Sequence, residues 1–265
     1  MIDLHTHPIP GIDDGVRDED EALELCRIAV REGITTLVAT PHMRTDLFPN
    51  DRDGILKGVE RLRALLRREE IDLQIAPGAE VYLEPDLIDR MRAGHTLTLN
   101  DGGAYLLLEL PARHLPAGVD DVIYRLRLAG VTPVIAHPER LLPLQEDPER
   151  FARLVELGAL GQLTAGSLLG QFGSTALRIS RLFLERGLVQ VLASDAHNSA
   201  NRAPLLREAL AQAEALIGKE AAQRSVHDVP RAILAGEEIE VAMEPGEEPA
   251  RRGGWLDWLR GRERE

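Results

Sequence analysis

The stretch MIDLHTHPIPGIDDGVRDEDEALELCRIAVREGITTLVATPH, residues 1–42, decides the fold. It opens on an apolar run over residues 2–7 that reads as a strand, followed by a loop rich in Pro, Gly and Asp. Asp18, Glu19 and Asp20 then precede apolar residues at three- and four-residue spacing: Ala22, Leu25, Cys26, Ala29 and Val30. Acidic residues favour a helix N-terminus, and Gly33 suits the position just past a helix C-terminus. A second apolar run over residues 35–42 closes the unit. Strand, helix, strand in this order predicts parallel strands joined by a crossover helix.

The same alternation continues outward. Further strands are expected over residues 74–83, 104–110, 132–137, 161–167 and 189–195, and Ile55, Val59, Leu62, Leu65 and Leu66 form a second helical stripe. Seven strand–helix units predict an α/β fold, a closed or nearly closed (β/α) barrel; an open doubly wound sheet gives a similar alternation. No G-x-G-x-x-G follows the first strand, so a dinucleotide site has little support. The pattern fades after about Glu238. One domain over residues 1–240 is expected, with 241–265 as linker and tail.

Bulk properties narrow the function. The chain has 265 residues, 44% of them hydrophobic, which is enough for one sizeable core. No apolar run is long enough to span a bilayer, and the N-terminus lacks the basic-then-apolar pattern of a signal peptide. The lone cysteine, Cys26, leaves no internal disulfide and suits the cytoplasm. A formal net charge of −13 argues against a nucleic-acid partner.

Eight histidines are present. His5, His7, His42, His137 and His197 fall at or just beyond the C-terminal ends of expected strands, as do Glu80, Glu109 and Asp195. That edge of a parallel sheet is where sites are built. Residues two apart in a strand point to one face, so His5-Thr6-His7 aims two imidazoles together, and Asp195-Ala196-His197 aims a carboxylate and an imidazole. A lone strand histidine is ordinarily a hydrogen-bonded structural residue, and a single H-x-H is weak. Glu109, a charge in the apolar run Leu106–Leu110, is stronger, because an unpaired charge there is costly. Together, imidazoles and carboxylates suit zinc, iron or manganese. His95, His114 and His227 lie off the strand ends. Asp13-Asp14-Gly15 reads alone as a turn, but a carboxylate there can reach a metal held by H-x-H. Arg140 is either a surface residue or a bidentate clamp for phosphate.

His5-Thr-His-Pro-Ile-Pro-Gly-Ile-Asp-Asp-Gly15, Thr40-Pro-His42, Gly78-Ala-Glu80, Leu108-Glu109, Ala136-His-Pro-Glu-Arg140, Ala165-Gly-Ser-Leu-Leu-Gly170 and Ala193-Ser-Asp-Ala-His-Asn198 resemble the motifs of the bacterial protein tyrosine phosphatases of the polymerase-and-histidinol-phosphatase (PHP) type. The resemblance runs from Met1 to about Pro204. It implies a distorted (β/α)₇ barrel with a trinuclear site, holding Mn2+, or Fe or Zn as purified. Carried over, the first metal takes His5, His7, Glu80 and Asp195; the second Glu80, Glu109 and His137; the third Asp14, His42 and His197. Arg140 and Arg202 would hold the phosphate, with Asp14 and His42 beside them in the catalytic set. The implied reaction is attack of a metal-bridging hydroxide on a phosphotyrosine ester. The implied partner is a phosphotyrosine protein, such as a tyrosine kinase of polysaccharide assembly in the cytoplasm at the inner membrane face.

Where family members often carry a histidine or aromatic residue next to the position of His42, this chain has Met43, Arg44 and Thr45, which bears on leaving-group specificity. Rival readings share parts of the pattern. A PHP phosphatase for a small metabolite such as histidinol phosphate keeps the metal site and changes the pocket walls. A metal-dependent amidohydrolase also uses H-x-H on a β/α barrel, a PHP exonuclease wants a basic track, and a non-catalytic scaffold would bind its metals structurally. A cysteine mechanism is excluded, because Cys26 lies on a helix stripe and the residue six further on is Glu32 rather than arginine. The tail carries Arg251, Arg252, Arg260, Arg262 and Arg264 against Asp257, Glu263 and Glu265, with Trp255, Trp258 and Leu259 on one helical face. It reads as a disordered end or as a short amphipathic anchor for an anionic membrane surface.

Overall fold

The Asp18 carboxylate accepts a hydrogen bond from the Glu21 amide at 2.9 Å, and helix α1 (Glu19–Arg31) begins there. Ala22, Leu25, Cys26 and Ala29 are buried as their spacing predicts, joined by Leu23, whereas Val30 faces solvent. Helix α2 (Arg52–Arg68) is capped in the same way by Asp51 and buries all five residues of its stripe. The computed structural model describes residues 1–241. The expected tail and all but the first residue of the linker lie outside the described residues.

Nine strands are described: β1 (Ile2–Thr6), β2 (Thr36–Ala39), β3 (His42–Met43), β4 (Gln74–Pro77), β5 (Glu80–Tyr82), β6 (Tyr105–Glu109), β7 (Thr132–Ala136), β8 (Leu160–Thr164) and β9 (Val191–Ala193). All their pairings are parallel, in two sheets ordered β1-β2-β4 and β3-β5-β6-β7-β8-β9. Two runs expected as single strands are each split. Pro41 separates β2 from β3, and Gly78 follows Pro77 between β4 and β5. Proline cannot donate to a ladder, and glycine marks a bend. The eighth strand also ends earlier than expected, at Thr164, where residues 165–168 turn into helix. A lone parallel bridge, Thr6 to Ala196, joins β1 to the segment after β9.

The remaining helices are α3 (Leu87–Arg92), α4 (Val119–Leu128), α5 (Leu142–Glu146), α6 (Pro148–Glu156), α7 (Ala165–Leu168), α8 (Gly173–Glu185), α9 (Arg207–Ile217), α10 (Lys219–Arg224) and α11 (Asp228–Ala235). Alternate strand residues serve two cores. Leu37, Ile75, Leu106, Ile135, Leu163 and Leu192 belong to a large core shared with the helices. Leu4, Val38, Ala76, Leu107, Val134, Leu160 and Val191 form a smaller inner core with Val229 and Ile233 of α11. No helix among the described residues is long and apolar enough to cross a membrane.

Candidate metal centre

Strand β1 ends by delivering His5 and His7 to one place, both fully buried. Thr6 between them points the other way and bonds to Val38 of β2. His5 Nδ1 lies 2.8 Å from Gln162 Oε1 on β8, and His7 Nδ1 lies 2.7 Å from Asp13 Oδ2. Each imidazole is therefore fixed through Nδ1 and presents Nε2 to the centre, the arrangement expected of metal-binding histidines. Only glycine fits after Asp14: a Cβ on Gly15 would sit 2.4 Å from the His7 carbonyl oxygen.

Strand ends supply the rest. Glu80 opens β5, and its Oε2 lies 3.2 Å from His5 Nε2 and 3.1 Å from His42 Nδ1. Its Oε1 lies 2.8 Å from His137 Nε2. Asp195 Oδ1 is 3.4 Å from His5 Nε2 and 3.7 Å from His7 Nε2. Asp14 Oδ1 stands 3.4 Å from both His42 Nε2 and His197 Nε2. His137 and Asp195 hold left-handed backbone conformations, φ 36° and 53°, which cost non-glycine residues about 1–2 kcal/mol and cluster at functional sites.

Three groups of donor atoms lie within 4.8 Å of one another: His5, His7 and Glu80; His42, Glu80 and Glu109; and His7, Asp14, His42 and His197. Cations fit here. His137 Nδ1 is buried without a hydrogen-bond partner, and His42 Nδ1 lies 3.1 Å from Glu80 Oε2 and 3.5 Å from Glu109 Oε2 without an aligned hydrogen bond to either; buried polar atoms in such a state are costly unless something satisfies them. Mixed imidazole nitrogen and carboxylate oxygen suits manganese, iron or zinc.

The electrostatics point the same way. Burial opposes a charge on His7 and His42, yet Asp13 and Glu80 raise His7 to about 9, and Asp14, Glu109 and Glu80 raise His42 to about 11. Burial also opposes ionisation of Asp195, but His5, Arg202 and Arg140 hold its carboxyl well below the usual range. Protons on the imidazoles thus compensate the same carboxylates that metal ions would.

The nine residues expected as metal ligands lie at this edge, but His137 and Asp195 fall outside the three groups and reach them through Glu80 and His5. Glu109 Oε2 faces His42 Nδ1 at 3.5 Å and groups with it, while His137 meets Glu80. Arg140 and Arg202 are drawn together by one oxygen, Asp195 Oδ2, at 2.5 and 2.8 Å. His95, His114 and His227 belong to none of the three groups. Sequence reasoning missed Gln162, a polar residue in an apolar strand, and Phe172, over whose ring the Arg140 guanidinium lies at 4.4 Å. It offered the Asp13-Asp14 loop as a source of a metal-reaching carboxylate but did not foresee Asp13 as the partner of His7 Nδ1. Glu139 is fully buried, accepts from Ser167 Oγ at 2.6 Å and from the Thr164 amide, and was not singled out either. Beside the site, Phe48 stacks on His42 with ring centroids 5.2 Å apart, an aromatic neighbour five residues beyond the Met43 departure.

Residues 1–235 match the family model for capsular polysaccharide synthesis, CpsB/CapC. The chain is 38% identical over 220 residues to the tyrosine-protein phosphatase YwqE of Bacillus subtilis, covering 83% of this chain and 86% of that protein. It is 31% identical over 243 residues to the tyrosine-protein phosphatase CpsB of Streptococcus pneumoniae, covering 88% and 98%. A crystal structure from work on these two proteins, described as metal-dependent tyrosine phosphatases, superposes with a TM-score of 0.89 at 35% identity and covers 94% of this chain and 100% of that one. With its strand-end histidines and carboxylates gathered as described, the chain belongs to the CpsB/CapC family.

Proposed function

We propose that this chain is a metal-dependent protein tyrosine phosphatase. The observation that carries the reading is the gathering of His5, His7, His42 and His197 with Asp14, Glu80 and Glu109 at one sheet edge, with His137 against Glu80 and Asp195 against His5, in a chain of the CpsB/CapC family. We assign His5, His7, Glu80 and Asp195 to one ion, Glu80 and Glu109 to a second together with His137, which reaches it through Glu80 Oε1 rather than by contact with Glu109, and Asp14, His42 and His197 to a third, with manganese as the metal. Bound divalent ions supply Lewis acidity, which activates water near neutral pH and offsets phosphate charge.

The chain's own residues do the rest. Asp13 and Gln162 hold the His7 and His5 rings in place through their Nδ1 atoms. Arg140 and Arg202 are each about a quarter exposed and present fixed positive charge at the mouth. Such charge suits the equatorial oxygens of a loose phosphoryl-transfer transition state. Asp14 and His42 line the outer side, where an entering ester arrives. A phenolate, with a conjugate-acid pKa of about 10, leaves more readily than an alkoxide.

The two parallel sheets, bridged at Thr6–Ala196 and bent at Pro41 and Gly78, support a distorted seven-stranded barrel over a single domain, residues 1–240. The substrate we favour is a phosphotyrosine-bearing tyrosine kinase of polysaccharide assembly, met in the cytoplasm at the inner membrane face, where the basic, tryptophan-bearing tail would help to retain the enzyme. The test is steady-state kinetics on a phosphotyrosine peptide, a phosphoserine peptide and histidinol phosphate after reconstitution with manganese. A marked preference for phosphotyrosine supports the reading; preference for histidinol phosphate transfers the site to a small-metabolite phosphatase.

A further inference from the structure

Phe172 is the last of the four residues, Leu169-Gly170-Gln171-Phe172, between α7 and α8, and with Gln171 it is flanked by Gly170 and by Gly173, the first residue of α8. Both flanking glycines hold left-handed backbone, φ 81° and 90°, a region that other residues enter only at a cost. The Gly170 amide donates to Ser167 O, that of Gln171 to Gly166 O, and that of Gly173 to Gly170 O. A Cβ on Gly166 would meet Gln171 Oε1 at 2.5 Å and the Phe172 ring at 3.1 Å, so the helix turn beneath is shaped to the loop. Ser167 in turn donates to the buried Glu139 carboxylate, next in sequence to Arg140. The turn is thus held on both sides and carries one half-buried aromatic ring.

The Arg140 guanidinium carbon stands 4.4 Å from the centre of that ring and the Arg202 carbon 5.9 Å from it. Both fall within the roughly 6 Å reach of a cation–π contact. Both guanidiniums also share Asp195 Oδ2. Asp195 is assigned above to a metal, so its hold on the arginines competes with that ligation. The ring carries no charge and does not compete.

We infer that Phe172 is a positioning residue: its ring is the platform that keeps Arg140 and Arg202 together over the site, ready for a phosphoryl group whether or not Asp195 is engaged by metal. The inference rests on the reading of the two arginines as phosphate-holding residues. Phe172 itself touches neither metal ligand nor reacting atom in this role; it acts through the guanidiniums.

The test uses the full-length, manganese-loaded protein and the variants Phe172→Leu, which keeps an apolar side chain but removes the ring, and Phe172→Tyr, which keeps the ring. Inorganic phosphate binding is measured by calorimetry, apart from turnover, alongside KM, kcat and metal content. Phe172→Leu should weaken phosphate and raise KM for a phosphotyrosine peptide by about tenfold, within the range of a partly desolvated cation–π contact, with kcat changed less and metal content intact. Phe172→Tyr should restore both. Unchanged phosphate affinity in Phe172→Leu overturns the platform, as does loss of metal or fold that Phe172→Tyr shares. If the wild-type enzyme binds phosphate but prefers another ester, the substrate reading fails while the binding comparison still decides the role of Phe172.

Discussion

Asp13 Oδ2 lies 2.7 Å from His7 Nδ1 and also accepts the backbone N–H of His42 at 3.1 Å. One buried carboxylate thus aims one imidazole and pins the backbone of another, though it belongs to none of the donor groups itself. Asp13→Ala should lower metal affinity or kcat/KM by about 10–100-fold, the usual effect of removing a carboxylate behind a ligating histidine. Metal analysis and kinetics on the folded variant check this; wild-type values in both would remove Asp13 from the centre.

Exhaustive chelation should abolish hydrolysis, and added manganese should restore it. Asp195→Ala should do more than remove one ligand, because Arg140 and Arg202 both lose their shared anion. We expect kcat lower by orders of magnitude with secondary structure retained, since the residue sits at the sheet edge rather than in the core. Full turnover by metal-free protein would sink the mechanism.

Cys26 lies on α1 within the large core, and burial pushes its thiol up to about 12. At neutral pH it is a protonated, inaccessible group. Cys26→Ser should cost about 1–2 kcal/mol for the buried hydroxyl and leave turnover unchanged. Native protein should resist alkylation at pH 8 until denaturant is added. The sign of the pH effect follows from the raised value. The folded state keeps the proton above pH 9, where the unfolded thiol loses it, so stability declines between about 9 and 12. Cys26→Ala should flatten that limb of the stability curve. A folded Cys26→Ser variant without activity would reinstate a thiol mechanism.

Phe151 of α6 and Phe183 of α8 are fully buried, with ring centroids 4.7 Å apart. Phe183→Ala should destabilise the fold by about 3–5 kcal/mol, the range for truncating a buried aromatic ring. Denaturant midpoints measure it, and a loss below about 1 kcal/mol would mean the helices repack around the gap.

Much of this architecture was legible because strand and helix periodicities are local. The stripe of α2 needed only its spacing, and His5-Thr6-His7 placed two rings on one face because strand geometry leaves no other choice. Pairings made by loop paths were not legible. Nothing in the spacing of Glu109 says that it meets His42 rather than His137. Asp13 and Asp14 are adjacent in sequence, yet one serves from behind His7 and the other at the mouth. Gln162 could have been caught as a lone amide in an apolar strand. Phe172 could not, since its role depends on two arginines 32 and 30 residues away in opposite directions meeting over one turn. The breaks at Pro41 and Gly78 carried a signal, in proline and glycine, that the apolar runs masked.

Tyr105 opens β6, and its hydroxyl donates to the Glu237 carbonyl at 2.5 Å. Glu109, at the far end of the same strand, faces the centre about 13 Å away at ordinary strand rise. The chain therefore crosses the end of the sheet opposite the site before it reaches Val241. A bead, biosensor surface or fluorescent domain attached beyond Val241 would begin on that far side, leaving the mouth formed by Asp14, Arg140 and Arg202 open to a bulky protein. Attachment at the loops following β1 or β7 would obstruct it.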